Sequence, residues 1–263
     1  MKNLIVILIF CIGYSAFGQS RQVLLSPLDE TKMTADGFAG NDEFGFSYFV
    51  KDNEFFKVKS GKSVAYKNLL LGKLTKIDLI NPLKILLFYE NFNTIITLDN
   101  QLNETQRINL SEAAPSIVVS ATGMASQNRF WMYDSLSQKL GLYDYLKNTY
   151  TFLTPSFQGN FRYYTSDFNY FQWIDESNSW FRCDVFGKIS NLGKVSDFDA
   201  IQITGEQLLL FSKDGKLFLN DPKNTKTYTV DNIDKSAKSF FLKGQILVIF
   251  TDHGITNYKI TIP

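Results

Sequence analysis

The chain has 263 residues and carries 27 Lys and Arg against 26 Asp and Glu. That near-neutral balance excludes a global polyelectrolyte attraction to nucleic acid or anionic lipid. Hydrophobic residues at 44% and aromatics at 15% exclude a disordered chain, and one His with two Cys leaves little material for a zinc or copper site or a disulfide framework.

Residues 1–18 have the order of a secretory signal peptide. Lys2 forms a positive n-region, Leu4–Ile12 an apolar run too short to span a bilayer, and Ala16-Phe17-Gly18 a small-x-small cleavage site before Gln19. Cys11 follows Phe10, where lipidation requires a small residue, so no lipid anchor is expected there. Cleavage removes Lys2 and leaves 26 charges of each sign on residues 19–263, read as a single domain. No other stretch approaches the roughly 20 apolar residues of a membrane helix, and the mature protein is expected to be soluble and periplasmic. It would hold one cysteine, Cys183, in the apolar setting Trp180-Phe181-Arg182-Cys183, which predicts a buried, unreactive thiol.

From there the sequence repeats. Six units read apolar strand, acidic turn, second strand: FSYFVKDNEFFKV, KILLFYENFNTIITL, RFWMYDSLSQKLGLY, NYFQWIDESNSWFRC, QLLLFSKDGKLFL and ILVIFTDHGITNYKI. Their acids, Asp52, Glu90, Asp134, Asp175, Asp214 and Asp252, are 38, 44, 41, 39 and 38 residues apart. Phe, Tyr, Ile, Leu and Val fill the strands, while Asp-Asn, Asp-Gly, Ser-Asn and His-Gly mark the turns. A short segment such as TQRINL or KTYTV follows each hairpin, and an apolar stretch such as LTKIDLI or FDAIQIT precedes it. Four strands per 40 residues define a β-propeller blade.

The expected fold is all-β: six four-stranded blades near 34–68, 74–110, 115–154, 160–192, 198–231 and 237–263. Five or seven would require a misread blade around residues 28–45. The last unit has room for three strands only, so QVLLSPL, residues 22–28, is predicted to close the ring beside Ile255–Ile260. Helical periodicity is confined to short pieces around Ser111–Ala114.

No catalytic motif emerges. His253, the sole histidine, sits in the turn Asp252-His253-Gly254, away from any buried nucleophile. Asp78, Asn81 and Asn160 are the candidates for a channel cation, with nothing in the sequence to make them converge. A second acidic series, Asp99, Asp144, Asp184 and Asp221, follows the blade period and is read as turn chemistry. Catalytic, cofactor and metal residues are therefore expected to be none. The aromatic segment Phe161–Phe181, with Trp173 and Trp180, is read chiefly as inter-blade packing and otherwise as a surface for a partner.

The leader ending Phe17-Gly18-Gln19, the run Asn81-Pro82-Leu83-Lys84-Ile85-Leu86-Leu87-Phe88-Tyr89, and its continuation through Thr94–Asp99 and Asn103 resemble small periplasmic propellers of Bacteroidota associated with the type IX secretion and gliding machinery. The resemblance implies a non-catalytic accessory subunit at the outer membrane, bound to protein partners in the envelope. The chain stops within its last blade with no sorting domain, which suits a machine component better than an exported cargo. A carbohydrate or small-ligand binder, and a cation-dependent hydrolase or lyase at the channel, are the alternative readings.

Overall fold

In the computed structural model the described residues are 23–112, 116–205, 207–231, 233 and 236–262. The expected signal peptide, residues 1–18, and Cys11 lie outside them. The strands run β1 (Leu24–Lys32), then blade I from β2 (Gly37–Asn41), β3 (Ser47–Lys51), β4 (Glu54–Lys59) and β5 (Lys62–Tyr66). Blade II holds β6 (Lys76–Asp78), β7 (Ile85–Tyr89), β8 (Thr94–Leu98) and β9 (Glu104–Asn109). Blade III holds β10 (Val119–Ala125), β11 (Arg129–Asp134), β12 (Lys139–Asp144) and β13 (Thr149–Phe152). Blade IV comprises β14 (Phe161–Ser166), β15 (Tyr170–Asp175), β16 (Ser179–Asp184) and β17 (Ile189–Lys194). Blade V comprises β18 (Ala200–Ile203), β19 (Leu209–Lys213), β20 (Lys216–Asp221) and β21 (Lys226–Val230), and blade VI β22 (Ser239–Lys243), β23 (Ile246–Thr251) and β24 (Gly254–Thr261).

Each blade is an antiparallel sheet in chain order, and β1 supplies the outer strand of blade VI. The six-bladed propeller with an N-terminal closing strand is thus present. The closing strand is longer than expected and shifted: it pairs from Leu24↔Thr261 to Lys32↔Gly254, with a bulge between Pro27 and Asp29. Val23 extends it by a parallel bridge to Val230, stitching blade VI to blade V. Among the described residues the one helical element is a 3-10 turn at Glu90–Phe92. Residues 113–115 lie outside the described set.

Turn chemistry sets the period. Asp52-Asn53, Ser60-Gly61, Gln127-Asn128 and Asp214-Gly215 each place two residues at positive φ, the twist that matches a two-residue hairpin to its strands. The longer turns begin with an acid. Asp99 Oδ1 accepts the backbone N–H of Gln101 and Asn103, Asp144 Oδ1 those of Leu146 and Lys147, Asp184 Oδ1 those of Phe186 and Lys188, and Asp221 Oδ1 those of Lys223 and Asn224. The second acidic series is spent on its own turns, as its periodicity implied.

First strands of neighbouring blades stand side by side around the axis. Bulges between Phe38 and Gly40, Val119 and Ala121, and Phe161 and Tyr163 add twist to three of these inner strands, where the ring is narrowest. Apolar faces of adjacent blades pack into one cluster per interface. Blades II and III, for example, share Leu86, Phe88, Ile95, Phe130, Met132 and Tyr143. The seam between blades VI and I is thinnest, with Val248, Phe250 and Ile255 its fully buried members.

Candidate functional site at the channel and the rims

Around the axis lies a cavity of about 590 Å³ lined by the first strands of blades I, II, IV, V and VI. Blade III contributes no wall, because its β10 is buried at all but one position. Gly123 is the reason: a Cβ there would sit 2.0 Å from Ser166 Oγ and 2.9 Å from Asp78 Oδ2. Its absence lets blades II, III and IV close on one another.

Asp78 does line this channel, but its oxygens are occupied. Oδ2 accepts the Met124 N–H at 2.8 Å and Oδ1 the Ile80 N–H at 2.9 Å, tying blade II to blade III. Enclosure raises its pKa above the ordinary carboxylate value and lowers that of nearby Lys76, although both still touch channel solvent. The Lys76 ammonium lies 4.6 Å from the centre of the Tyr164 ring. Gln202 makes two bonds to Leu242, donating to its carbonyl at 2.9 Å and accepting its N–H at 2.6 Å, and so joins blades V and VI. The polar groups of the channel mostly lock blades together.

The other two cation candidates do not join Asp78. Asn81 caps the β6–β7 turn by accepting the Leu83 N–H, and Asn160 is exposed in the connection between blades III and IV. Among the described residues no three His, Cys, Asp or Glu groups are placed to hold a metal. His253 is exposed in its turn, with its carbonyl accepting the Met33 N–H. Cys183 is fully buried, and burial pushes its thiol up to about 12. Residues 19–263, whose one cysteine is Cys183, are therefore expected to resist a thiol reagent such as 5,5′-dithiobis(2-nitrobenzoate) when folded and to react with one equivalent on unfolding. Fast labelling of the folded chain would contradict this burial.

The aromatic segment is core. Phe171, Trp173 and Trp180 are buried, and Trp173 stacks on Phe157 and Phe181 at 5.0 and 5.3 Å between ring centres. Of its large apolar side chains only Phe168, at 40% exposure, faces solvent. As a partner surface, the segment offers little.

Exposed apolar groups occur on a different element. Strands alternate in direction, so the turns between second and third strands share one rim with the connections between blades. On that rim Leu69, Leu70, Phe92, Val118 and Leu136 are 81, 78, 50, 43 and 71% exposed. Asn68 sets the first two outward: its Oδ1 accepts the N–H groups of Leu70 and Leu71, and Leu71 alone turns into the core. A Cβ at Gly72 would lie 3.2 Å from the Phe92 ring, which places this loop beside the blade II turn. Asn93 then bonds Ile117 O and Val119 N, and Ser135 N donates to Val118 O, linking Phe92 to Val118 and Leu136. The result is an apolar strip over blades I to III. The corresponding turns of blades IV to VI expose no large apolar side chain among the described residues. The opposite rim exposes Phe44, Ile80, Leu83, Leu146, Phe168 and Phe186 at its turns, with Leu24 and Ile262 at the ends of the β1–β24 pair. In the sequence the signal was Leu69-Leu70-Leu71, an apolar run inside an inter-blade connection.

No protein-family model and no curated protein matches the sequence. Solved structures match the fold. Virginiamycin B lyase from Staphylococcus aureus superposes with a TM-score of 0.59 at 12% identity, over 92% of this chain and 100% of the lyase. A DUF4221 family member from Bacteroides vulgatus gives 0.59 at 8% identity, over 93% and 99% of the two chains. PorZ, described as an essential surface component of the type IX secretion system of Porphyromonas gingivalis, gives 0.50 at 10% identity; the match covers 91% of this chain and 39% of PorZ. At such identities the common property is the β-propeller itself.

Proposed function

We propose that this chain is a non-catalytic propeller of the bacterial envelope that binds a protein partner through the apolar rim over blades I to III. The observation that carries the reading is the strip of Leu69, Leu70, Phe92, Val118 and Leu136, side chains that a monomer gains nothing by exposing together. Charge supports a protein partner: the near-neutral chain offers no global attraction to nucleic acid. The leader-like N-terminus favours export, and the likeness to PorZ makes type IX secretion the first process to examine. Lyases among the structural neighbours keep an enzymatic alternative in view, and Asp78 with Lys76 is the titratable pair facing the channel.

The test is affinity purification of the full chain from envelope extracts, followed by mass spectrometry. Leu69→Asp with Leu70→Asp, and separately Leu136→Asp, are expected to lose the co-purified partner without lowering the melting temperature. Each central apolar contact would contribute about 1–2 kcal/mol to such an interface. Partner recovery unchanged by both variants would overturn the rim assignment, and substrate turnover by the purified monomer would overturn the non-catalytic reading.

A further inference from the structure

The thin seam between blades VI and I opens into a cleft of about 670 Å³, within the size range of small-molecule pockets. It lies at the rim opposite the apolar strip, bordered by the turns at Gly45, Ser60-Gly61 and Lys243. One wall is Phe49 and Val58 of blade I; the other is Phe241, Val248 and Ile255 of blade VI. Phe49 is held rigidly by stacking on Phe56 with ring centres 5.0 Å apart. Here the first blade faces a blade assembled from both ends of the chain, and the apolar walls stay apart.

The mouth is basic. Lys59 and Lys243 border it, while Lys32, paired with Gly254 in the blade VI turn on the other rim, lines the far end of the cleft. Lys59 Nζ donates to Phe44 O at 2.6 Å, keeping further N–H donors, and Lys32 and Lys243 form no ion pair among the described residues. Two carboxylates also line the cleft, both engaged within the protein. Asp42 accepts the N–H groups of Phe44 and Phe46 and the Tyr48 hydroxyl, while Asp29 accepts Asn257 Nδ2. Apolar walls beneath uncommitted ammonium groups match one class of molecule: an organic acid with an apolar body.

We propose that the seam between blades VI and I is a binding site for a small amphipathic anion, a carboxylate carried on an alkyl or aryl body, with Phe49, Val58 and Phe241 holding the body and Lys59 and Lys243 the charge. Nothing in this assignment depends on the rim strip or on a protein partner. The carboxylate would stay at the cleft mouth, where it keeps part of its hydration, and the apolar body would displace water from the walls.

Calorimetric titration of the full chain with decanoate, below its micellar concentration, tests the site, with decylamine as the charge control. One decanoate per chain is expected, bound at least about tenfold tighter than decylamine. Lys59→Glu with Lys243→Glu, both exposed and chosen to leave the fold intact, should weaken decanoate about tenfold or more. Val58→Trp, which fills the cleft, should abolish binding while the melting temperature confirms folding. Should that variant misfold, Ser47→Phe at the same cleft replaces it. No saturable binding, equal affinity for decylamine, or indifference to the lysine reversals would overturn the proposal. So would a concentration-dependent dimer that the filling variant dissolves, since the cleft would then belong to a second copy.

Discussion

Deleting Val23–Lys32 is expected to lower the melting temperature by about 10 °C or more and to make the protein aggregate. The loss removes eight paired positions of the β1–β24 ladder and uncovers the edge of a strand whose Ile255 and Ile260 are buried. It also removes Val23, which is 4% exposed and packs with Leu210, Val230 and Ile260 between blades V and VI. Loss of a ladder and a core residue together falls among the largest stability effects, above about 4 kcal/mol, and at this chain length each kcal/mol corresponds to about 2–4 °C. A point variant separates closure from simple truncation. A Cβ at Gly254 would lie 2.1 Å from Thr31 O, at a φ of +142° that L side chains rarely adopt. Gly254→Val should therefore dislodge the closing strand while keeping every residue of it. Thermal melting and size-exclusion chromatography of both variants decide the matter. Unchanged melting of the deletion would mean that the ring is held by its blade interfaces alone.

This closure was legible because strand alternation and turn chemistry are local. Asp-Gly and Asp-Asn turns impose positive φ wherever they occur, so the period of about 40 is written in residues two to four apart. Its extent was less legible. Asp29, Glu30, Thr31 and Lys32 are polar and exposed, and nothing in them signals a strand until β24 supplies the partner.

The candidate sites were harder to see, for a physical reason. Exposure belongs to the assembled ring, and an aromatic-rich run looks the same in sequence whether its rings meet water or the next blade. Trp173 and Phe171 pack on Phe161 within blade IV, and Phe171 meets Trp131 across the blade III–IV interface, so the most conspicuous rings of the segment lie in the core. Leu69 and Leu70 are conspicuous only once Asn68 is seen to hold them outward. The channel offers a middle case. Asp78 was legible as an inner-strand acid, but its role depends on Gly123, a residue that contributes no side chain at all.

That dependence makes Gly123→Ala the second large effect expected. The new methyl must displace Ser166 Oγ, 2.0 Å away, and crowd Asp78 Oδ2 at 2.9 Å. Overpacking of this kind costs about 1–3 kcal/mol, and Gly123→Val more, because the Asp78–Met124 hydrogen bond joining blades II and III has to yield. Ser166→Gly should restore much of the loss in the alanine background, giving a coupling that independent sites would lack. Titration supplies a second readout. Enclosure raises the pKa of Asp78, so the folded state holds this proton more tightly than the unfolded chain does. Its contribution to stability is complete below the ordinary carboxylate pKa and disappears as pH rises through the raised one. Asp78→Asn removes that proton, and the difference in stability between wild type and Asp78→Asn should therefore shift in favour of the variant as pH rises through this window. Gly123→Val, by prising the blades apart and admitting water, should diminish the effect. Denaturant unfolding from pH 4 to 8 on the wild type, each single variant and the two double variants, Gly123→Ala with Ser166→Gly and Gly123→Val with Asp78→Asn, measures all of this. Full additivity of Gly123→Ala with Ser166→Gly, or a pH-independent difference between wild type and Asp78→Asn, would show that the three inner strands do not bear on one another as their geometry requires.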